Sequence, residues 1–528
     1  MSPRNSCTES GIDHPFGRRL VDCATAEVGP YKSWLRQRSG TIDGDVLAGY
    51  YRRTMNTNTF NRRYGAVLVA LVLVMIAIGA CSGSEQSTGA ELDGITPTAE
   101  VAESNPAVDA PDTATATGFL TGDSDYLFDD DELRTYELVL SEEALAEIDN
   151  DPTAEQYVEG QLNFEGETLT VGIRYKGSVG AWVGCVAGSN LANPSGEKTC
   201  TKLSVKLKIN WDGSDADFFG QRRLQFHSMN LDPSQMRDRL GYWLFREMGV
   251  PAPRAVHSRL LVNGEYVGLF LLVEQIDKRF IGANFDVDDG NLYKEVWPTN
   301  AGGMVQNDAA YEDALRTNED DDPSFDIIGG FAEAIAAADE YAALDVLEQW
   351  TDVDETLRML VVDRTIRHDD GIFHWYCLGE CAPHNFYWYE DPSDDKLHLI
   401  PWDLDLAFEN IEADINPITP VADDWGEITD GCKSFSYGAF GLPQRSALCD
   451  PVFAAWFQLD DRYQVLRQEF LAGPFSEPTV TEMVEKWGAQ IESATKEASE
   501  AHGDAISPTT WQQAVDQLLH GVAFAREN

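Results

Sequence analysis

Residues Asp363 to Asn410 read DRTIRHDDGIFHWYCLGECAPHNFYWYEDPSDDKLHLIPWDLDLAFEN. The apolar run Leu397-His398-Leu399-Ile400-Pro401-Trp402 has the length and composition of a strand, and Asp403 and Asp405 follow at its end. Upstream lie Asp369, Asp370, His384 and Asn385. Carboxylates and an amide oxygen collected at strand ends are hard donors of the kind Mg²⁺ or Mn²⁺ takes. A turn capped by an acidic pair is the plain alternative for Asp403 and Asp405. The ordered set Asp370, Asn385, Asp403 says more than the pair. Phosphoryl transfer uses an Asp to accept a hydroxyl proton, an Asn to hold metal, and a later Asp to hold the metals on the nucleotide phosphates.

The stretch resembles the CotH family of spore-coat-associated atypical protein kinases. The residues that carry the resemblance are Asp370-Gly371, His384-Asn385-Phe386 and Trp402-Asp403-Leu404-Asp405. Upstream, Arg174-Tyr175-Lys176-Gly177-Ser178, Lys202 to Lys208, Gly264-Glu265-Tyr266-Val267-Gly268 and Val273-Glu274-Gln275-Ile276-Asp277 resemble further family motifs in the family order. The resemblance runs from Tyr126 to Asn410. It implies transfer of the ATP γ-phosphoryl group to a protein hydroxyl, that of a Ser, with Mg²⁺ or Mn²⁺ as cofactor. Asp370 is then the base; Asn385 and Asp403 are metal ligands, with Asp405 in support. Lys202, Lys206 or Lys208 and Glu274 fall on the nucleotide side, Glu274 pairing a phosphate-holding lysine, and Lys294 is a second candidate. Gly371 assigns the base to Asp370 rather than Asp369. Unlike the family, this chain separates Asp370 from Asn385 by Ile372 to Pro383, which holds Cys377 and Cys381.

The rest of the chain supplies two halves. Ser141-Glu142-Glu143 caps a short helix through Ile148. Strands are predicted at Gln161 to Phe164 and Leu169 to Tyr175. From Lys202 to Ile209, Lys202, Ser204, Lys206 and Lys208 alternate with apolar residues, so the lysines project on one face. A helix follows over Met236 to Met248. Leu260 to Val262, Asn263-Gly264 and Tyr266 to Val273 read as a hairpin. Helices are predicted over Phe331 to Leu347, Glu355 to Ile366, Val480 to Ala501 and Pro508 to Arg526, the last two packing on the second lobe. The fold class is α+β, a two-lobed kinase-like fold with a strand-rich N-terminal lobe, a helix-rich C-terminal lobe and the nucleotide between them.

The chain has 528 residues, with Lys+Arg 39, Asp+Glu 89 and a formal net charge of -50, which excludes a nucleic-acid backbone as partner. Between Arg174 and Lys294, 16 Lys/Arg stand against 13 Asp/Glu, a locally basic region suited to an anionic ligand. Residues 1–54 read as an extension that is not native. Arg62-Arg63, an uncharged apolar run from Gly65 to Ala80, and Cys81 describe a bacterial lipoprotein signal over 55–81. Lipidated Cys81 would place the protein outside the cytoplasmic membrane, anchored to it. A disordered linker occupies 82–124, rich in Ser, Thr, Ala, Gly and acids. The kinase-like domain is set at 125–410, with a disulfide-containing segment and packing helices over 411–528. The six later cysteines form near couples, Cys185 with Cys200, Cys377 with Cys381 and Cys432 with Cys449, which suits disulfides in an oxidising compartment; zinc is the competitor. Two other classes stay open: a catalytically silent surface binding or adhesion protein, and a metal-dependent hydrolase.

Overall fold

The computed structural model describes residues 123–527, apart from 183, 189, 191–192, 320–322, 378, 410–429 and 438–441. The expected extension, the lipoprotein signal and nearly all of the linker lie outside the described residues. The architecture is α+β.

A closed barrel runs in the order β1-β2-β3-β4-β5-β7-β6. Its strands are β1 (Arg134–Val139), β2 (Val158–Phe164), β3 (Glu167–Tyr175), β4 (Val205–Lys208), β5 (Arg223–His227), β6 (Ala255–Val262) and β7 (Glu265–Val273). Neighbours are antiparallel except β1 and β6, which run parallel. The alternation read around β4 is present: Leu203, Val205, Leu207 and Ile209 are buried inward. The β6–β7 turn forms at Asn263-Gly264, where φ is +50° and +85°, the left-handed pair that this tight hairpin turn demands.

β7 serves two cores. Its Phe270 and Leu272 join the barrel interior with Phe226 and Leu260, while Leu269, Leu271 and Val273 join a second core shared with the helices. A strand buried on both faces reads as a continuous apolar run, and Leu269 to Val273 is one.

The second core gathers α2 (Arg237–Glu247), α5 (Asp326–Ala337), α6 (Ala342–Trp350), α7 (Val353–Thr365), α8 (Pro451–Phe457), α9 (Asp460–Ala472), α10 (Glu477–Ala501) and α11 (Pro508–Glu527). Shorter helices are α1 (Glu142–Asn150), α3 (Lys278–Asn284) and α4 (Asp308–Ala314). Two small sheets sit in this half. One has the order β12-β11-β8, from β8 (Leu292–Lys294), β11 (Phe386–Asp391) and β12 (Lys396–Pro401). The other has the order β10-β9-β14-β13, from β9 (His374–Cys377), β10 (Cys381–Ala382), β13 (Phe435–Tyr437) and β14 (Leu442–Ser446). Ser141 caps α1 as expected, its Oγ accepting from Ala144 N at 3.1 Å.

Two expectations need correction. The single helix over Phe331 to Leu347 is two helices, because Asp339 Oδ1 accepts the N–H groups of Tyr341 and Ala342 and offers the backbone an alternative to continuing the helix. The C-terminal helices do not pack on the helical half alone. α10 lies against the barrel: Tyr266 Oη donates to Ala494 O at 3.2 Å, and Arg259 pairs with Glu497 at 2.9 Å. Disulfides join Cys185 to Cys200, Cys377 to Cys381 and Cys432 to Cys449. No helix of the described residues is long and apolar enough to cross a membrane.

Candidate active site

Helix α2 presents Asp238, Gly241 and Tyr242 on one face, the i, i+3, i+4 spacing that brings helical side chains together. That face cradles the chain after β12. Asp403 N donates to Tyr242 Oη at 2.9 Å, and Leu404 N donates to Asp238 Oδ1 at 2.8 Å. A Cβ on Gly241 would stand 2.6 Å from Leu404 Cδ1, so glycine is what lets Leu404 seat between the two acids. Asp403 itself has φ +53°, a conformation tolerated by Asp and Asn and held here by hydrogen bonds on both sides. On the far side, His368 Nε2 donates to Asp403 O at 2.9 Å, and His368 Nδ1 faces Asp363 Oδ2 at 3.2 Å.

The Ile372 to Pro383 insertion leaves its ends in register. Its first half, Ile372 to Trp375, is buried in the second core, its tip is the β9–β10 hairpin stapled by Cys377–Cys381, and Asn385 Nδ2 donates to Asp370 O at 3.0 Å and to Asp370 Oδ2 at 2.8 Å. Asn385 also takes a left-handed φ of +58°. Asp369 turns elsewhere, to Arg367 Nε at 3.3 Å and His374 Nε2 at 3.7 Å. The two neighbouring acids therefore have different surroundings: Asp369 lies beside the Arg367 guanidinium and the His374 ring, which burial pushes down to about 4, and Asp370 faces Asn385 and Asp403.

Electrostatics ties the acids into one group. Burial raises Asp405 well above the ordinary carboxylate range, and the charges of Asp403, Asp238 and Asp370 raise it further. Asp370 is raised by burial and by Asp403, against the pull of His384 and His368. Asp238 is pushed up to about 6 by burial, despite its bond from Leu404. Buried carboxylates that repel one another are a donor set fitted to a divalent cation, which would remove the repulsion. Asn385, Asp403 and Asp405 are the residues that would hold it, with Asp370 beside them. His227, Asp238 and Asp403 also place one donor atom each within 4.8 Å of one another. His227, however, is already engaged, with Nε2 2.8 Å from Lys176 Nζ and Nδ1 3.6 Å from Asp238 Oδ2.

Opposite the acids stands a basic group on the outer face of β3, β4 and β5. Lys176 Nζ donates to Gln225 Oε1 at 3.1 Å and lies 5.3 Å from the centre of the Trp402 ring. Burial pushes Lys176 down to about 8, with the Asp403 charge holding it up. Lys206 is pushed down to about 7 by burial and by Lys176, Arg174 and Arg223. Cations crowded beside a carboxylate cluster suit a phosphate chain with its metal.

The expected nucleotide-side residues divide accordingly. Lys206 lies in this group, and Lys208 is on the same strand face, beside Arg223 in register. Lys202 precedes β4 and departs from that face: its Nζ donates to Leu269 O at 2.8 Å and lies 5.3 Å from the Phe270 ring centre. Glu274 does not pair with a lysine. It holds Arg254 through two bonds, 2.6 Å to Nη2 and 3.0 Å to Nε. Lys294 lies 3.5 Å from Glu295, and its charge is felt at Lys176. Sequence reasoning quoted Lys176 within a motif but did not single it out as a lysine beside the acids, and it missed Asp238 and Tyr242. The signals were Lys176 at the end of the β3 alternation and the Asp238-Gly241-Tyr242 spacing.

The Arg254 pairing carries a prediction. Glu274→Gln should cost about 1–2 kcal/mol of stability in a denaturant titration, since it removes the buried carboxylate from Arg254 and leaves that half-buried guanidinium with Asp125, while the KM for ATP of the proposed kinase stays unchanged. A raised KM with unchanged stability would return Glu274 to the nucleotide.

The family described as CotH kinase protein matches residues 173–527. This chain belongs to that family. The match includes α10 and α11, so the family domain extends beyond Asn410 to the helices that brace the barrel. Among relatives of the CotH chain, inner spore coat protein H of Bacillus subtilis (strain 168) is 26% identical over 199 residues, 36% of this chain and 51% of that protein. The inner spore coat protein H-like protein of the same strain is 40% identical over 70 residues, 13% of this chain and 22% of that one. Invasin CotH2 of Rhizopus delemar is 25% identical over 217 residues, 39% of this chain and 35% of the invasin. The alignment thus spans about half the length of the first of these relatives and less of the others.

Proposed function

We propose that the protein is an atypical, metal-dependent kinase that transfers the ATP γ-phosphoryl group to a Ser hydroxyl of a protein. The observation that carries this reading is the meeting of Asp370, Asn385, Asp403 and Asp405 opposite Lys176 and Lys206, from segments far apart in the chain. In this reading the barrel and the helical half are the two lobes of a kinase-like fold, and the nucleotide lies between them.

Asp370 accepts the proton as the Ser oxygen bonds to the γ-phosphorus, and the bond to the bridging oxygen breaks with its electron pair leaving on ADP. Asn385 orients Asp370 through its Nδ2 bond. Lys176 and Lys206 bind and orient the phosphate oxygens. Asn385, Asp403 and Asp405 would hold a Mg²⁺ or Mn²⁺ ion, which would supply charge neutralisation on the phosphates. The protein acts outside the cytoplasmic membrane, anchored through lipidated Cys81; disulfides suit that compartment.

The test is incubation of the oxidised chain with γ-labelled ATP, Mn²⁺ or Mg²⁺, and a Ser-rich acceptor. Label is expected on protein. The pH profile of kcat/KM should rise as Asp370 loses its proton, above the ordinary Asp range, and fall through about 8 as Lys176 loses its own. A Lys176→Met chain that keeps the alkaline limb would remove Lys176 from the mechanism.

A second reading rests on the names of the Rhizopus delemar relatives, invasins CotH2, CotH7 and CotH3. In it the chain is a catalytically silent, surface-displayed adhesion protein with the acids holding structural metal. No label on protein, with no metal-dependent thermal shift by ATP, would select it. Phosphate released without protein labelling would instead select a hydrolase.

A further inference from the structure

The β11–β12 hairpin carries a second group of metal donors, at the end of β12 away from Asp403. One ring nitrogen of His398 and one carboxylate oxygen from each of Asp391 and Asp394 lie within 4.8 Å of one another. The register places Tyr389 opposite His398 and Asp391 opposite Lys396, so Asp391 and His398 share one face of the hairpin. Along the strand, His398 and Asp403 are separated by about 16 Å at the usual rise per residue.

The imidazole is set in place as a metal-binding histidine is. His398 is 8% exposed, and its Nδ1 lies 2.9 Å from Glu355 Oε1 in the first turn of α7. The Phe285 ring packs against the imidazole edge to face, with centres 4.9 Å apart. With Nδ1 given to Glu355, Nε2 is left buried and without a hydrogen-bond partner among the described residues. A buried ring nitrogen in that condition is an unmet demand. The carboxylates are held too: Asp391 Oδ1 accepts from Ser393 N at 2.8 Å, and Asp394 Oδ1 accepts from Lys396 N at 3.2 Å. Each keeps its second oxygen for another partner. Asp391 is buried and Asp394 exposed, so an ion here would be reached from solvent at the turn.

We propose that Asp391, Asp394 and His398 bind one divalent transition-metal ion, Zn²⁺ by the character of the donors, with Glu355 as the positioning residue for the imidazole. An imidazole with two carboxylates favours Zn²⁺ over Mg²⁺, and a carboxylate on the far ring nitrogen is the usual support of a zinc-bound histidine. The ion would tie the turn of the β11–β12 hairpin to its second strand, while the His398–Glu355 bond links that strand to α7.

The test uses the full chain, stripped with a chelator and kept in excess Mg²⁺ so that the Asp403 group is occupied, titrated with Zn²⁺ by calorimetry. One equivalent is expected to bind. Binding should be lost in His398→Gln and weakened about ten- to a hundredfold in Glu355→Gln. Asp394→Asn, an exposed substitution that leaves the fold intact, should weaken it at least as much. An Asp403→Asn chain should bind Zn²⁺ like the unmodified protein, so this result stands apart from whether the chain is a kinase. Absence of Zn²⁺ binding, or binding by Asp394→Asn and His398→Gln as tight as that of the unmodified chain, would overturn the proposal and leave His398 as an imidazolium among carboxylates.

Discussion

In the proposed kinase, an Asp403→Asn chain is expected to lose phosphoryl transfer from ATP by about a thousandfold or more, because it removes a charged ligand from the proposed metal centre. Asn is the informative replacement. It tolerates the +53° φ of this position, and the backbone bonds to Tyr242 and His368 do not involve the side chain. Removing the charge also relieves Asp405, whose carboxyl is held high by burial and by Asp403. The melting temperature of the metal-free variant should therefore equal or exceed that of the unmodified chain. Lost transfer with retained stability is the expected pair of results, read from a radiolabel assay and a thermal melt. Retained transfer would remove Asp403 from the metal site.

Gly371→Ala is expected to act on both fold and site. A Cβ at this position would stand 2.5 Å from His368 Nδ1 and 2.8 Å from Asp363 Oδ2, both buried and bonded to one another. Neither can withdraw along a flexible chain. Forcing that pair apart should cost about 1–3 kcal/mol, as overpacking of a filled interior does. His368 also holds the Asp403 carbonyl, so the displacement should pass to the acids and lower kcat by about tenfold to a hundredfold, as small misplacements of catalytic groups do. A Gly371→Ala chain with unchanged melting and unchanged kcat would show that the His368 link has no part in placing Asp403.

The strand pattern of the first half was legible because alternation around β4 and the Asn263-Gly264 turn are local signals, and both are present in the barrel. The acidic group was legible for a different reason: Asp370, Asn385, Asp403 and Asp405 sit at element ends where the order along the chain marks them. The lysine was not. Lys202, Lys206 and Lys208 have the same polarity and nearly the same spacing, and only the barrel decides that Lys202 bends to Leu269 while Lys176, on the neighbouring strand, points toward Trp402. Glu274 was misread for a related cause. A buried acid at a strand end suits a lysine or an arginine equally until Arg254 is seen beside it.

The sequence alone determined the class of fold, the cysteine couples, the hairpin turn and the acids of the candidate centre, all of which depend on residue type and short-range spacing. The tertiary structure decided which base of Asp369 and Asp370 faces Asn385, which lysine faces the acids, and that helix α10 braces the barrel. Those choices depend on side-chain direction and on desolvation by residues distant in the chain, and neither quantity is written in local sequence.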